Sequence, residues 1–221
     1  MNTGTFNMKI LAACEESQTV CIELRKLGHE AYSADIQEPS GGHPEWHILG
    51  DVLPLINGRC SFQTMDGANH EIKDKWDMLI AFPPCTYLSN AGNASLFPDG
   101  ILNKERYKKG LEAKAFFMSL YNADCSKIAI ENPISSRIYE MPPFSQEVHP
   151  WMFGHEYEKT TRLWLRGLPI LMATEIVPWV STWCPSSTTG NKGAAGSNPK
   201  NRSKTFQGLA RAMAEQWAGY I

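Results

Sequence analysis

The amino-acid sequence predicts an α/β protein with a doubly wound, mostly parallel sheet, and three observations carry that expectation. Apolar runs such as "MKILAAC" (8–14), "WDMLIAF" (76–82) and "KIAIENP" (127–133) show little polar alternation, the pattern of strands covered on both faces. Stretches with helical spacing lie between them, so strand and helix signals alternate along the chain. Finally, 221 residues, 43% hydrophobic and 20% charged, are enough for a single domain, 1–221, with its own core.

The elements follow in order. After the first strand, "SQTVCIELRKLG" (17–28) keeps Val20, Leu24 and Leu27 at helical spacing, with Ser17 placed to cap the helix and Gly28 to end it. "EAYSADI" (30–36) reads as a second strand with Asp35 at its tip, and "GDVLPL" around Asp51 as a short third. Residues 57–75, rich in Asn, Gly, Asp and Lys, read as a surface loop. "WDMLIAF" is the fourth strand. Residues 103–121 give the clearest helix, capped by Asn103, with Tyr107, Leu111, Ala115, Met118 and Tyr121 on one face.

"KIAIENP" is the fifth strand. A Pro-rich loop runs through "PWMFG" (150–154), and "TTRLWLRGLPIL" (160–171) supplies a strand or hairpin. The stretch 181–204, rich in Gly, Ser and Asn with Lys192, Lys200, Arg202 and Lys204, is expected to be a flexible, mildly basic loop. A last helix from Thr205 aligns Phe206, Leu209, Ala210, Met213 and Trp217. No internal repeat is visible.

Bulk properties narrow the function. A net charge of -2 gives the whole chain no strong attraction to polyanions, so a nucleic-acid partner must be held by a local basic patch. No apolar run approaches the roughly 20 residues of a membrane helix, and the polar start "MNTGTFN" is not a signal peptide. The six cysteines never form a C-x-x-C pair, which points to reduced thiols in a cytoplasm. No metal site is expected. His43 and His47 are separated by Pro44, which disfavours the helix their spacing would require.

In doubly wound sheets ligands bind outside the carboxyl ends of the strands. The predicted order sets four polar groups there: Glu15–Glu16, Asp35, Pro83-Pro84-Cys85 and Glu131-Asn132-Pro133. Each has two readings. Asp35 either accepts hydrogen bonds from a ribose or caps the next turn. Cys85 is either a nucleophile on a backbone stiffened by proline or buried filler. Glu131 is either a buried acid able to protonate a ring nitrogen or a carboxylate binding turn amides. His149 and His155 flank a packing loop, Trp151, Phe153 and Trp164 read as core or pocket wall, and Ser89 and Asn90 as a turn or pocket lining.

"FPPC" (82–85) and "ENP" (131–133) are similar to the catalytic signatures of the cytosine-5 DNA methyltransferases. "ACEESQTV" (13–20), "GHEAYSADI" (28–36), "PPCTYLSNAG" (83–92), "PWMFG", "TTRLWLRGLP" (160–169) and "SKTFQGLARAMAEQW" (203–217) resemble, in order, the short methyltransferase-like proteins of phages and prophages. The resemblance covers about residues 8 to 219. It implies a Rossmann-like S-adenosylmethionine-dependent methyltransferase fold, encoded by a phage or prophage and acting in a bacterial cytoplasm. It also implies that Cys85 attacks carbon 6 of a flipped cytosine in DNA, that Glu131 holds ring nitrogen 3 and the exocyclic amine, that Asn132 supports the Pro-Cys loop, and that Arg162 contacts the cytosine carbonyl. S-adenosyl-L-methionine would be bound by Ala13, Cys14, Glu15 and Ser17 in the first turn, by Asp35 and Ile36, by Asp51 and Val52, and by Pro83.

Three features depart from the family pattern. The first turn, "AACEESQ", has no glycine and two acids. Glu158 and Thr160 stand where the family has a glutamine and an arginine. Only about 35 residues, 170–204, lie where a separate target-recognition domain would be, too few for a domain with its own core. These departures leave room for the same chemistry on single strands or a free pyrimidine nucleotide, for a separate recognition subunit, or for a catalytically silent nucleotide- or nucleic-acid-binding module.

Overall fold

Strand β1 (Lys9–Ala13), fully buried after Lys9, lies between β2 (Glu30–Asp35) and β6 (Met78–Ala81). The computed structural model describes residues 7–157, 159–178 and 204–219. With β3 (His47–Leu49), β7 (Ile128–Pro133), β8 (Gln146–Val148) and β9 (Thr161–Arg166), these strands form one seven-stranded sheet of order β3-β2-β1-β6-β7-β9-β8. The first five in that order are mutually parallel, and β9 runs antiparallel between β7 and β8. The protein is therefore α/β with a mostly parallel mixed sheet, compatible with a Rossmann-like fold.

Two cores cover the sheet, as its unalternating strands require. On one face Leu11, Leu79, Ile130 and Trp164 meet Phe117 and Leu120 of α3 (Lys104–Tyr121). On the other, Ile10, Ile80 and Ala129 meet Val20 and Leu24 of α1 (Thr19–Lys26). Helix α2 (Asn93–Leu96) is a single turn beyond β6. The last helix, α4 (Gln207–Trp217), adds Leu209, Met213 and Trp217 to the α1 face. Each buried Leu, Ile or Phe contributes about 1.5–3 kcal/mol, against about 0–1 for exposed pairs such as Lys75–Asp124. The fold rests on the two cores.

Four local expectations need correction. Ser17 does not cap α1: the Glu15 carboxyl reaches over it and accepts from the amides of Val20 (2.5 Å) and Cys21 (3.2 Å). The third strand precedes Asp51, because buried His47 bonds Ser33 of β2 and pulls residues 47–49 into the sheet. Residues 57–75 contain an antiparallel hairpin, β4 (Cys60–Gln63) and β5 (Asn69–Ile72), that packs Phe62 and Ile72 onto the α3-side core. On α3, Leu111 and Ala115 are exposed, and Gly110, Phe117 and Leu120 are its buried residues. Asn103 caps α3 as the sequence indicates, accepting from the Arg106 amide at 3.0 Å.

Helix α4 is seated by close backbone contact. A Cβ placed at Gly208 would overlap the carbonyl of Phe153, and Trp217 donates its indole N–H to the Pro169 carbonyl at 3.0 Å. Glycine is required where a helix approaches a neighbouring backbone this closely. Gly208→Ala is expected to destabilise the protein by about 1–3 kcal/mol, as overpacking does. Urea denaturation of the two proteins measures it.

Candidate functional site

Sheet order reverses between β1 and β6: the chain proceeds outward through β2 and β3, then returns to the other side of β1. Such a switch point opens a crevice outside the carboxyl ends of the strands. The turn leaving β1 is held to both neighbours, with the Glu15 amide donating to the Ala34 carbonyl (3.2 Å) and the Phe82 amide to that of Ala13 (2.9 Å). Although this turn has no glycine, Cys14 (φ 59°) and Gln18 (φ 58°) both take the left-handed conformation that glycine adopts freely. Held strain of this kind costs about 1–3 kcal/mol per residue and clusters at functional sites. Gln18 is fixed by donating to the Ser33 hydroxyl (3.1 Å) and the His43 carbonyl (2.8 Å).

Acidic groups gather on the β1–β3 side of the crevice. Glu15, Glu16 and Asp35 are buried and Asp51 is exposed. Burial pushes the Glu15 carboxyl up to about 8, its two amide donors opposing the rise and Glu16 and Asp35 adding to it. Burial first, then the charges of Asp35 and Asp51, push the Cys14 thiol up to about 12, so this thiol stays neutral. Asp35 is also raised by burial, against an amide hydrogen bond from Gln37. Beside them Ile36 is 78% exposed, and Leu49, paired with Asp35 across β2 and β3, is 47% exposed.

The loops leaving β6 and β7 are joined on the other side of the crevice. The Asn132 amide donates to the Pro83 carbonyl at 2.9 Å, in a fully buried position. Further along, Asn90 donates to the Ile134 carbonyl (2.9 Å) and Ser136 to that of Leu88 (2.7 Å). Cys85 sits inside this zipped loop, half-buried, its carbonyl closing a turn through the amides of Leu88 and Ser89. Glu131 is one residue past the last paired position of β6 and β7, Ala81 with Ile130. Burial raises its carboxyl above the ordinary range; the Lys159 ammonium and a hydrogen bond from Thr161 draw it back.

Buried polar atoms without partners also concentrate on this rim. Among the described residues five are found. Four of them follow or end strands whose carboxyl ends face the crevice: Glu16 Oε1, Asn132 Oδ1, Ser135 Oγ and His149 Nδ1. Buried polar groups rarely go unpaired, so the cluster marks a place where a ligand would supply hydrogen bonds.

The structure thus brings Ala13, Cys14, Glu15, Asp35 and Asp51 to one side of the crevice and Pro83, Cys85, Glu131 and Asn132 to the other. Val52 is buried in the α3-side core, and Ser17 bonds the Thr19 hydroxyl. Arg162 does not join them. It pairs with Asn132 across β7 and β9 while Glu131 pairs with Leu163, so Arg162 and Glu131 point to opposite faces of the sheet. Arg162 donates to Glu147 (2.9 Å) and lies over the Phe144 ring. The cation acting on Glu131 is Lys159, which no motif singles out because β9 returns to β7 only after a long connection.

Glu16 lies at the rim where strand order sets it with Glu15, whereas Gln18, whose left-handed backbone shapes the turn, is singled out by no motif. His43 stacks on Trp46 at 3.9 Å, and His47 bonds Ser33 and the Gln37 carbonyl, so the two do not converge. No group able to hold a metal ion is found among the described residues, and no described helix is long and apolar enough to cross a membrane. Glu158 and the 181–204 loop, apart from Lys204, lie outside the described residues. No protein-family model matches the chain, and no curated protein matches it.

The raised Glu15 carboxyl sets a pH dependence. The native state holds this proton up to about pH 8, whereas the unfolded chain releases it near the ordinary value of 4.5. Between those values the native state binds more protons, so the contribution is complete below pH 4.5 and is lost as pH rises through 8. Glu15→Gln, neutral throughout, is expected to flatten this fall between pH 5 and 8 in denaturation series.

Proposed function

We propose that the protein is an S-adenosylmethionine-dependent methyltransferase that modifies cytosine at carbon 5, in DNA, through a covalent bond to Cys85. The observation that carries this reading is the Asn132–Pro83 hydrogen bond, which locks the strand end bearing Glu131 to the loop bearing Cys85. Asp35 and Asp51 would take the cofactor's ribose and adenine side, with exposed Ile36 against the ring, and the unpaired Glu16 oxygen would face its positive charge. Cys14 and Gln18 give the glycine-free turn the left-handed backbone that glycine would otherwise supply. Ser17 and Glu15, bonded within the turn, would shape it, and Pro83 would form a wall, with Val52 packed in the core behind.

The cofactor supplies an electrophilic methyl group. The chain's own residues prepare the base. The Cys85 thiolate forms a bond to carbon 6 while the Glu131 carboxyl, whose hold on a proton burial strengthens, donates from its protonated form to ring nitrogen 3. The electron pair displaced from the 5,6 double bond leaves carbon 5 nucleophilic. After carbon 5 is methylated it loses its proton to a base, the carbon–sulfur bond breaks, and nitrogen 3 returns its proton. A base must leave the stack to reach a thiol at this rim. Because Arg162 and Glu131 point to opposite faces of the sheet, the contact with the cytosine carbonyl would fall to another donor in this reading.

Cys85→Ser is expected to abolish transfer of labelled methyl to cytosine-containing DNA and the trapped adduct with 5-fluorocytosine DNA, with cofactor affinity by calorimetry unchanged. A cofactor Kd weaker than about 1 mM for the unaltered protein would overturn the reading in favour of a silent binding module. Glu131→Gln is expected to lower kcat by about 10²–10⁴-fold. It should also remove the alkaline limb of the pH–rate profile, because only the protonated carboxyl donates.

A further inference from the structure

Among the described residues a concentration of positive charge lies beside the Cys85 loop and is not used by the chemistry above. Residues 104–109, "KERYKK", carry four positive charges against one negative, in a chain whose net charge is -2. They form the first turns of α3, with Lys104, Lys108 and Lys109 exposed. None of the four cations makes an ion pair among the described residues. The cluster is built into the loop that carries Cys85. Arg106 donates to the Thr86 carbonyl at 2.9 Å and lies over the Tyr87 ring at 5.1 Å, with the Lys109 ammonium 5.8 Å from the same ring. Tyr87, Ser95, Asn103, Glu105, Arg106 and Lys109 line an open cavity of about 230 Å³.

We infer that this cleft and the amino-terminal half of α3 grip the phosphate backbone of the nucleic acid flanking the target base. Lys104 and Lys108 stand one turn apart, about 6 Å along the helix. One strand places a phosphate every 3.4 Å or so of axis, so the separation of the pair suits more than one phosphate of a strand rather than a single anion. The Tyr87 ring, with Arg106 and Lys109 close to it, is an aromatic group on which a neighbouring base would stack. Glu105, Glu112 and Asp99 are the acids nearest in sequence, and the four cations outnumber them. Contacts of this kind read no sequence, which suits a chain with few residues available for base readout. The inference rests on the proposed action on a base within a nucleic acid.

The test is fluorescence anisotropy with labelled single-stranded and duplex oligonucleotides between 50 and 200 mM salt. Four phosphate contacts give a log–log slope near −3 on single strands, so affinity falls roughly 50-fold over that range. K104Q/K108Q/K109Q, altered only at exposed positions, is expected to lose about two units of slope and roughly tenfold or more in affinity at 100 mM salt. Y87A is expected to weaken single-strand binding and Y87F to restore it. Unchanged affinity and slope in the triple variant, or no binding by the unaltered protein at 50 mM salt, would overturn the inference. Cofactor affinity and methyl transfer to a free cytosine nucleotide, measured in parallel, report on the chemistry separately. A protein that binds oligonucleotides through α3 but transfers no methyl supports the surface and sinks the enzyme.

Discussion

One buried hydrogen bond organises the chemistry-bearing half of the crevice. Parallel strands leave their carboxyl ends free to diverge, since the ladder between β6 and β7 stops at Ala81 and Ile130. The Asn132 amide on the Pro83 carbonyl carries the pairing past that limit. The backbone bonds from Asn90 and Ser136 then extend it to a second layer. Two prolines stiffen the segment between, so the loop's freedom is removed at its start by ring geometry and at its end by hydrogen bonds. A neutral buried amide–carbonyl bond of this kind contributes about 0.5–1.5 kcal/mol when made and costs more than that to leave unmade.

The other half of the crevice is organised by electrostatics. Glu15 is turned inward to satisfy the first amides of α1, and that service places a carboxyl where burial keeps it protonated to about pH 8. The turn therefore holds two acids in sequence without holding two full charges. Glu16, with one oxygen unpaired, and Asp35 are left as the groups that face the crevice from this side. Burial of the Cys14 thiol, with the charges of Asp35 and Asp51 beside it, keeps that thiol neutral.

Much of this was legible in the sequence, for definable reasons. Strands β1, β6 and β7 announce themselves because both faces are covered and every residue must be apolar. The cap at Asn103 and the stop at Gly28 follow from local stereochemistry. β3 was displaced because its anchor is a buried histidine, which an apolar-run reading passes over. The β4–β5 hairpin was missed because each strand turns few side chains to the core, although Asp66-Gly67, with Gly67 at φ 90°, is a recognised hairpin turn. Cys85, Glu131 and Asn132 could be assigned to one rim because strand order alone sends them there. The orientation of Arg162 could not, because a one-residue change of register in an antiparallel strand exchanges the two faces.

The manner in which α4 is attached has a consequence for how the chain may be cut. Between residues 178 and 204 the connection to the sheet is covalent, yet the helix is also held by Gly208 against Phe153, by Trp217 on Pro169, by Gln207 and Arg211 on Glu23, and by His29 on the Gly219 carbonyl. These contacts do not require an intact peptide between them. Two separately expressed fragments divided there should reassemble, which makes the protein a candidate for split-reporter complementation.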